Sequence, residues 1–471
     1  SEAVGGVIQI LTRRAPKAGV SVHGRGSIGN LKSREAEATV SYAGGPVDVT
    51  ASWNRRTTDG LDLPNSAYDV TNLAGGFHVN VMEDLRVGAI VRNDSATAGV
   101  PFSGSTPSPL RKTTVDTTTI AVPISLRLGA ATTVEMQGIY AKDEPTFDDP
   151  EGSFGYTHSD SQARRAGGRF SLGHVAGAHR LSLGTDYERV TVTSRDSYGT
   201  NLDGESLHTF SVFAEDRISV LKDRLDVTAG VRWDDHSAFG SHVSPRLTAA
   251  YRASASWKLR ASVGGAFRSP TTGELFFPFS GNPELKPETS VAYEAGVEWK
   301  VIPRLVVEMA LFRNDIKELI QYDFVSNTNQ NVGRARTQGL ELVVRGELTD
   351  ALFVRASATR LDAEDRATGE QLLRRPKNRA SLTFGGRVLD TASFELTAMY
   401  VGSRRDVDAA TFATVTNPSH VRFDLSVTGP RLFDVVAPYA RAANLFDRDY
   451  QEVAGYPTPG RRVSFGLDVA F

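Results

Sequence analysis

The feature that most constrains this chain is an alternation of apolar and polar residues with a period of two. In the segment RLDVTAGVRWDD, Val227, Val231 and Trp233 fall on one face, whereas Asp226 and Arg232 fall on the other. The segments VDVTASWN, VRFDLSVTG and RVSFGLDVAF repeat the pattern, and no segment of helical period longer than two turns stands out. Because successive side chains of a β-strand point to opposite faces, this pattern predicts an all-β fold.

The alternation recurs in about 22 segments of about ten residues each, which is the strand length that crosses a lipid bilayer at a tilt. The predicted strands begin near Val20, Glu35, Val47, Asn72, Leu85, Thr117, Thr133, Arg165, His179, Leu207, Arg224, His242, Lys258, Ser290, Leu305, Arg334, Leu352, Asn378, Ser393, Val421, Ala437 and Arg461.

The connections between these segments alternate between short and long. Short connections such as LGAATT, VLKDR and VIPR follow long ones such as RRTTDGLDLPNSAYDV and KDEPTFDDPEGSFGYTHSD. Outer-membrane barrels have short periplasmic turns at one end and long extracellular loops at the other, whereas a soluble propeller or sandwich needs no such alternation. The sequence therefore predicts a transmembrane antiparallel β-barrel. Its wet lumen would accept Asp226, Arg232, Arg422 and Asp424 on the inward face.

Composition excludes several other classes of protein. The formal net charge of -2 gives no basic surface for nucleic acid, and the absence of cysteine excludes disulfides and thiolate metal sites. No apolar run is long enough for a transmembrane helix. No glycine-rich phosphate loop, nucleophile elbow or helical zinc pair is present, so the sequence indicates a protein that is not an enzyme.

Several strings resemble the TonB-dependent outer-membrane receptors. The segment GAFRSPTTGELFFPFSGNPELKPETSVAYEAGVEW (265–299) is similar to the most recognisable barrel segment of that family. NVGRARTQGLELVV (331–344), GVRWDDHSAFGSHVSPRL (230–247) and the closing segment 444–471 fit the same family. With LLRRPKNR (372–379), the likeness is closest to the cobalamin transporter branch, although many siderophore receptors share these strings. The terminal Phe471 resembles the signal that the barrel assembly machinery reads.

The resemblance implies an outer-membrane active-transport receptor that imports a scarce large solute, such as cobalamin or a ferric siderophore. In such receptors a plug domain closes the barrel, and TonB acts on the plug through an N-terminal Ton box. SEAVGGVIQILT resembles the closing plug strand, so we expect residues 1–18 to be a remnant of the plug and its linker. Residues 19–471 would form the barrel, in a monomer that lies in outer-membrane lipid. The alternatives are a passive porin-like channel and a surface-docking barrel without energy coupling.

Aromatic residues in the long connections are candidate contacts for a small-molecule ligand, because ligand pockets are mostly apolar. The alternative is that these residues only pack the loops against one another. The candidates are Phe102, Phe147, Phe154, Tyr156, Phe276, Phe277, Phe279, Tyr322 and Phe324.

The densest acidic cluster lies in KDEPTFDDPEGSFG and includes Asp143, Asp148, Asp149 and Glu151. Closely spaced carboxylates on a loop suit a hard cation such as Ca²⁺, and calcium orders extracellular loops in cobalamin transporters, which this chain resembles. The alternative is a solvated charged loop, because the neighbouring loop offers only Asp94 as a further ligand.

Overall fold

The structure is a computed structural model that describes residues 18–471, apart from 62, 104–105, 153–154, 324–325, 389–390, 409–410 and 412. In this described part, 22 strands form one antiparallel sheet that closes on itself. The barrel strands are β1 (Gly19–Gly29), β2 (Arg34–Gly44), β3 (Val47–Thr58), β4 (Tyr68–Asn80), β5 (Leu85–Gly99), β8 (Lys112–Leu128), β9 (Thr132–Asp149), β10 (Thr157–Ala176), β11 (His179–Asp196), β12 (Gly199–Val220), β13 (Leu225–His236), β14 (Gly240–Arg252), β15 (Trp257–Arg268), β16 (Glu288–Ile302), β17 (Leu305–Asp323), β18 (Thr328–Glu347), β19 (Leu352–Asp365), β20 (Asn378–Val388), β21 (Ala392–Val401), β24 (His420–Thr428), β25 (Val436–Ala443) and β26 (Arg462–Ala470). The prediction of an all-β antiparallel barrel of about 22 strands is confirmed.

Short elements outside the barrel lie in its connections. They are the hairpin strands β6 (Phe102–Ser103) and β7 (Thr106–Pro107), the hairpin strands β22 (Arg404–Val407) and β23 (Thr414–Asn417), and the helix α1 (Thr272–Phe276). No helix in the described ranges has the length and apolarity that a membrane-spanning helix needs.

The barrel closes between its first and last strands. His23 to Gly29 of β1 pair with Ser464 to Ala470 of β26, and the backbone N–H of Phe471 donates to the carbonyl oxygen of Val22 at 2.9 Å. Closure leaves no unpaired sheet edge, which is the condition for placing strands in lipid. Phe471 therefore lies at the closing seam, and its role in assembly stays a prediction.

The two ends of the barrel differ as predicted. At one end the turns run from two residues (45–46) to seven residues (429–435), and both ends of the described chain lie there. At the other end the longest loops are 269–287, 402–419 and 444–461. In barrels of this class the short turns are periplasmic and the long loops extracellular. Some extracellular connections, such as 197–198, are nevertheless short, because the strands that flank them are long.

Several strands extend well beyond the predicted ten residues. β8 to β12 are 17 to 22 residues long, so their extracellular halves project past the bilayer. The predicted starts at Arg165 and Leu207 are therefore late, because β10 begins at Thr157 and β12 at Gly199. Above the membrane both faces of a hairpin meet water, so the alternation of apolar and polar residues disappears there although the strand continues.

The barrel wall has an apolar outer face and a charged inner face. The rings of Trp257 and Trp299 stack with centroids 5.1 Å apart on the outer face, near the periplasmic turns. Trp233 is also exposed on the outer face, but it lies nearer the extracellular end. Such aromatic belts mark the two membrane interfaces of a barrel. On the inner face Arg232 contacts Asp186 and Asp234, which confirms its predicted orientation.

Candidate functional site

The candidate site is the extracellular mouth of the barrel, where loops from distant strands meet. The ring of Phe102, in the loop between β5 and β8, packs edge-on against Tyr456, in the loop between β25 and β26, with centroids 6.1 Å apart. Strands β1 to β4 separate these two loops along the wall. The contact therefore draws loop 100–111 and loop 444–461 towards each other above the lumen.

Arg111 organises the first cluster at the mouth. Its Nε donates to Asp149 Oδ2 at 2.7 Å, its Nη1 donates to the carbonyl oxygen of Phe102 at 3.1 Å, and its Cζ lies 5.4 Å from the centroid of the Phe147 ring. Charge-assisted hydrogen bonds of this kind are the strongest in proteins. Two of the predicted ligand contacts, Phe102 and Phe147, are thus brought together by a cation that the sequence pattern did not single out.

Asn65 holds the same loop in place from the neighbouring connection. Its Nδ2 lies within 3.2 Å of the carbonyl oxygens of Val100, Ser108 and Arg111. Asn65 adopts a φ of +58°, which asparagine tolerates better than most residues. A Cβ at Gly99 would lie 2.3 Å from Asn65 Oδ1, so only glycine fits beside this side chain. The loop is therefore fixed by specific contacts and does not depend on apolar packing alone.

The long loop 269–287 is built on a partly buried group of ion pairs and a helix cap. Arg268 reaches both carboxylate oxygens of Glu274 at 3.0 Å and Glu288 Oε1 at 2.8 Å. Thr271 and Glu274 form a capping box at the start of α1. Burial raises the pKa of Glu274, but hydrogen bonds from Arg268 and Thr271 outweigh it and hold that pKa below its usual range. The carboxylate is therefore charged and fixes the loop at neutral pH.

Asn329 gathers the second group of predicted ligand contacts. Its Nδ2 donates to the carbonyl oxygen of Ser280 at 2.9 Å, and its Cα partner across the β17–β18 ladder is Tyr322. Phe279, which precedes Ser280, is 97% exposed and has a φ of +67°. A bulky side chain at positive φ is strained. The loop therefore presents the whole Phe279 ring to solvent.

The other predicted contacts of this loop lie beside Phe279. Phe276 ends α1 and is half-buried, whereas Phe277 is exposed. α1 itself contacts the extracellular part of β12, three strands away around the wall. The loop thus leans along the mouth and does not extend straight into solvent.

A third cluster, here called the loop lock, consists of Arg374, Arg404, Asp406 and Asn417 with the backbone of 451–454. Arg374 Nε donates to Asp406 Oδ1 at 2.7 Å, and the N–H of Ala454 donates to Asp406 Oδ2 at 2.8 Å. Arg404 Nη2 and Asn417 Nδ2 both donate to the carbonyl oxygen of Gln451, at 2.7 Å and 3.2 Å. The loop lock joins the three last extracellular loops.

The acidic cluster lies on a strand, so its predicted position in a loop is wrong for all but Glu151. Asp143 and Asp149 belong to one face of β9, and Asp148 belongs to the other. Thr117 donates to Asp143 at 2.8 Å, and Arg111 binds Asp149. Across the part of the chain that the structure describes, no three acidic or histidine residues are grouped to hold a metal ion. Calcium binding stays a prediction, without geometric support from these side chains.

Tyr156 is separated from the other aromatic candidates. Its hydroxyl donates to Asp148 Oδ1 at 2.7 Å, on the face of β9 opposite to Phe147. Hydrogen bonds from Tyr156 and then His158 lower the pKa of Asp148. The remaining candidates, Phe154 and Phe324, and residues 1–17 lie outside the described residues.

A closed barrel of 22 antiparallel strands, with short turns at one end and interlocked loops at the other, defines the class of outer-membrane transport barrels. Residues 47–441 match the family described as TonB dependent receptor-like, beta-barrel, and the chain belongs to this family. Membership implies a location in the bacterial outer membrane.

Solved structures of similar fold cover almost the whole chain. The ferric enterobactin receptor PfeA of Pseudomonas aeruginosa superposes with a TM-score of 0.85 at 18% identity, over 100% of this chain and 84% of its own. The copper transporter OprC gives 0.84 at 18% identity, over 98% and 81%. The ferric-catecholate import receptor Fiu from E. coli K12 gives 0.80 at 16% identity, over 97% and 82%. At these identities the likeness concerns the fold alone.

Proposed function

We propose that this protein is a receptor that captures a scarce, large metal chelate at its extracellular mouth and imports it with energy supplied through TonB. The observation that carries this proposal is the Phe279 ring, which is 97% exposed on a strained backbone at the mouth. A structural role in packing would bury the ring. A ligand-binding role requires that the ring be presented to solvent before the ligand arrives.

The substrate class follows from the side chains that accompany Phe279. Exposed aromatic faces at Phe277, Phe279 and Tyr322 suit a ligand with flat apolar surfaces. Ferric catecholate chelates have such surfaces, and proteins of similar fold are named as receptors for ferric catecholate and ferric enterobactin. A corrinoid is the second candidate, because the string LLRRPKNR resembles cobalamin transporters.

Energy coupling requires a plug domain inside the barrel. We propose that residues 1–18 are the last part of this plug and its linker to the barrel. The charged inner wall, with pairs such as Arg232 and Asp186, offers polar partners to a plug and to a hydrated solute alike. TonB would act on the plug, and the barrel would carry out no covalent chemistry. A passive porin-like channel shares this wall but needs no ligand-specific mouth, so ligand specificity separates the two functions.

Binding measurements on matched variants test the proposal. Purified protein is titrated with ferric enterobactin, Cu²⁺ and cyanocobalamin, and quenching of intrinsic fluorescence reports binding. Phe433 is the control, because it is also exposed (92%) at positive φ but lies in a periplasmic turn. We expect Phe279→Ala to weaken binding of ferric enterobactin about tenfold or more and Phe433→Ala to leave it unchanged. Absence of binding by every probe, or equal effects of both variants, would overturn the proposal.

A further inference from the structure

The outer wall of the barrel has a groove on β9, β10 and β11, independent of the transport site. Tyr140 and Tyr187 project outwards and are exposed. Between them the wall carries only small residues, because the Cα partner of Tyr140 is Ala166 and that of Tyr187 is Gly168. Gly168 in turn pairs with Gly138. We call the surface floored by Gly138, Ala166 and Gly168 the outer groove.

Basic side chains border the extracellular end of the outer groove. Lys142 follows Tyr140 by two positions on β9, Arg189 follows Tyr187 by two positions on β11, and Arg164 is the Cα partner of Lys142. Residues two positions apart share a strand face and are separated by roughly 7 Å. Exposed tyrosines of a barrel lie at the membrane interface, so these three cations lie at the level of the lipid headgroups.

The neighbouring carboxylates do not neutralise all three of these cations. Lys142 Nζ lies 2.7 Å from Glu144, but Arg189 Nε donates to the neutral hydroxyl of Ser206, at 2.7 Å. Within the described residues, Arg164 forms no ion pair. Asp116, the Cα partner of Glu144, is exposed on the same outward face, so the border carries three cations against two carboxylates.

Some arginines elsewhere on the outer wall are neutralised. Arg55, two positions beyond the exposed Trp53, forms a bidentate pair with Asp69 at 3.2 and 2.7 Å. Arg313 and Arg336 both bind Asp315 at 2.7 Å. Two other outward arginines, Arg34 and Arg360, form no ion pair within the described residues either. The outer groove is therefore distinguished by the grouping of three cations above a floor of small residues.

We propose that the outer groove is a binding site for a lipid with an anionic, phosphate-bearing headgroup in the extracellular leaflet. The phosphate would lie against Lys142, Arg164 and Arg189. One acyl chain would descend along Gly138, Ala166 and Gly168 between the two tyrosines. Basic residues beside a membrane attract anionic lipids, and each contributes roughly fivefold to affinity. A floor of glycine and alanine lets the acyl chain approach the backbone closely.

Native mass spectrometry of the purified protein in mixed micelles tests this assignment. The probes are dioleoylphosphatidylglycerol, which is anionic, and dioleoylphosphatidylcholine, which is zwitterionic. The charge variant is Lys142→Gln/Arg164→Gln/Arg189→Gln, and its matched control is Arg55→Gln/Arg313→Gln/Arg336→Gln. We expect the charge variant to weaken retention of phosphatidylglycerol tenfold or more and the control to change it less than twofold.

A second variant tests the shape of the groove with all charges intact. A Cβ at Gly138 would meet no atom within 4 Å, so Gly138→Leu fills the groove without disturbing the fold, and circular dichroism verifies this. We expect it to lower retention of phosphatidylglycerol about fivefold. Equal loss in the charge variant and its control, or no loss in Gly138→Leu, overturns the proposal. Displacement of the lipid by sodium phosphate, but not by sodium chloride of equal ionic strength, would identify a free-anion site instead.

Discussion

Arg374 Nε lies 2.7 Å from Asp406 Oδ1, although the two residues belong to different extracellular loops. The Asp406 side chain is completely buried and also accepts hydrogen bonds from the backbone N–H groups of Ala454 and Val407. One carboxylate thus joins the three last loops of the mouth. A buried charge is stable only while such partners remain, so the loop lock provides the first predictions.

Asp406→Asn is expected to loosen the last loops without unfolding the barrel. The substitution keeps the shape of the side chain but weakens charge-assisted hydrogen bonds, each of which contributes about 2 kcal/mol. Hydrogen exchange of the Ala454 amide should accelerate about 30-fold. Arg405→Gln is the control, because its partner Glu370 is exposed and the pair should contribute little. Similar exchange rates in both variants would contradict a special role for Asp406.

Acid should release the same loops. Burial raises the pKa of Asp406, but hydrogen bonds from Arg374, Ala454 and Val407 outweigh it and lower that pKa to about 2. Since the folded-state pKa lies below the unfolded-state value near 4, this stabilisation is complete above about pH 4. It should disappear as the pH falls from about 4 towards 2. Limited proteolysis with an acid protease, with cleavage within residues 402–461 measured between pH 4 and pH 2, reports the effect. In Asp406→Asn the dependence should be much weaker, and full protection of wild type at pH 2 would refute the account.

Arg111→Ala should weaken ligand binding at the mouth. It removes the cation that joins Phe102 to Phe147 and leaves the buried carboxylate of Asp149 without its partner. We expect the Kd for the bound chelate to rise about tenfold, and Arg111→Lys to restore only part of the affinity, because lysine lacks the planar fork. Lys112→Ala is the control, since Lys112 is exposed and contacts Asp148 on the other face. An equal rise in that variant would indicate a nonspecific charge effect.

The two faces of the wall should respond differently to a new charge. Val231 is exposed on the lipid side of β13, whereas Thr228 lies on the same strand face as the inward Arg232. Val231→Arg should lower the free energy of unfolding by about 2–4 kcal/mol in lipid vesicles. Thr228→Arg should change it by less than about 1 kcal/mol, because the lumen is wet. Urea unfolding curves followed by tryptophan fluorescence report both values, and a reversed order would mean that the faces are assigned incorrectly.

The sequence predicts the barrel well because a membrane wall imposes one rule on every strand. The alternation of Val231 and Arg232 follows directly from lipid on one side and water on the other. That rule ceases above the membrane, where water lies on both sides. The alternation therefore does not reveal the extracellular parts of β10 and β12, and it places the carboxylates of β9 in a loop.

The mouth is less predictable, because its contacts join residues far apart in the chain. The sequence identifies Phe102, Phe147 and Phe279 as candidate ligand contacts because they are aromatic residues in long connections. It could not identify Arg111 or Asn329, since neither stands in a motif. Both act through residues distant in sequence, Asp149 for Arg111 and the Ser280 carbonyl for Asn329. The pairing of loop residues such as Arg374 and Asp406 has no signal in the sequence, because the two residues meet only when the loops are folded. Whether the aromatic residues bind ligand remains a prediction that the binding experiments address.

Uptake of a chelate by intact cells tests the central claim most directly. Cells that produce the protein from its native gene are given ⁵⁵Fe-enterobactin with and without a protonophore that collapses the inner-membrane potential. Energy-coupled import predicts accumulation that requires the protein, stops with the protonophore, and falls strongly in Phe279→Ala but not in Phe433→Ala. Accumulation that requires the protein but continues unchanged without the membrane potential would instead identify a passive channel and contradict the account.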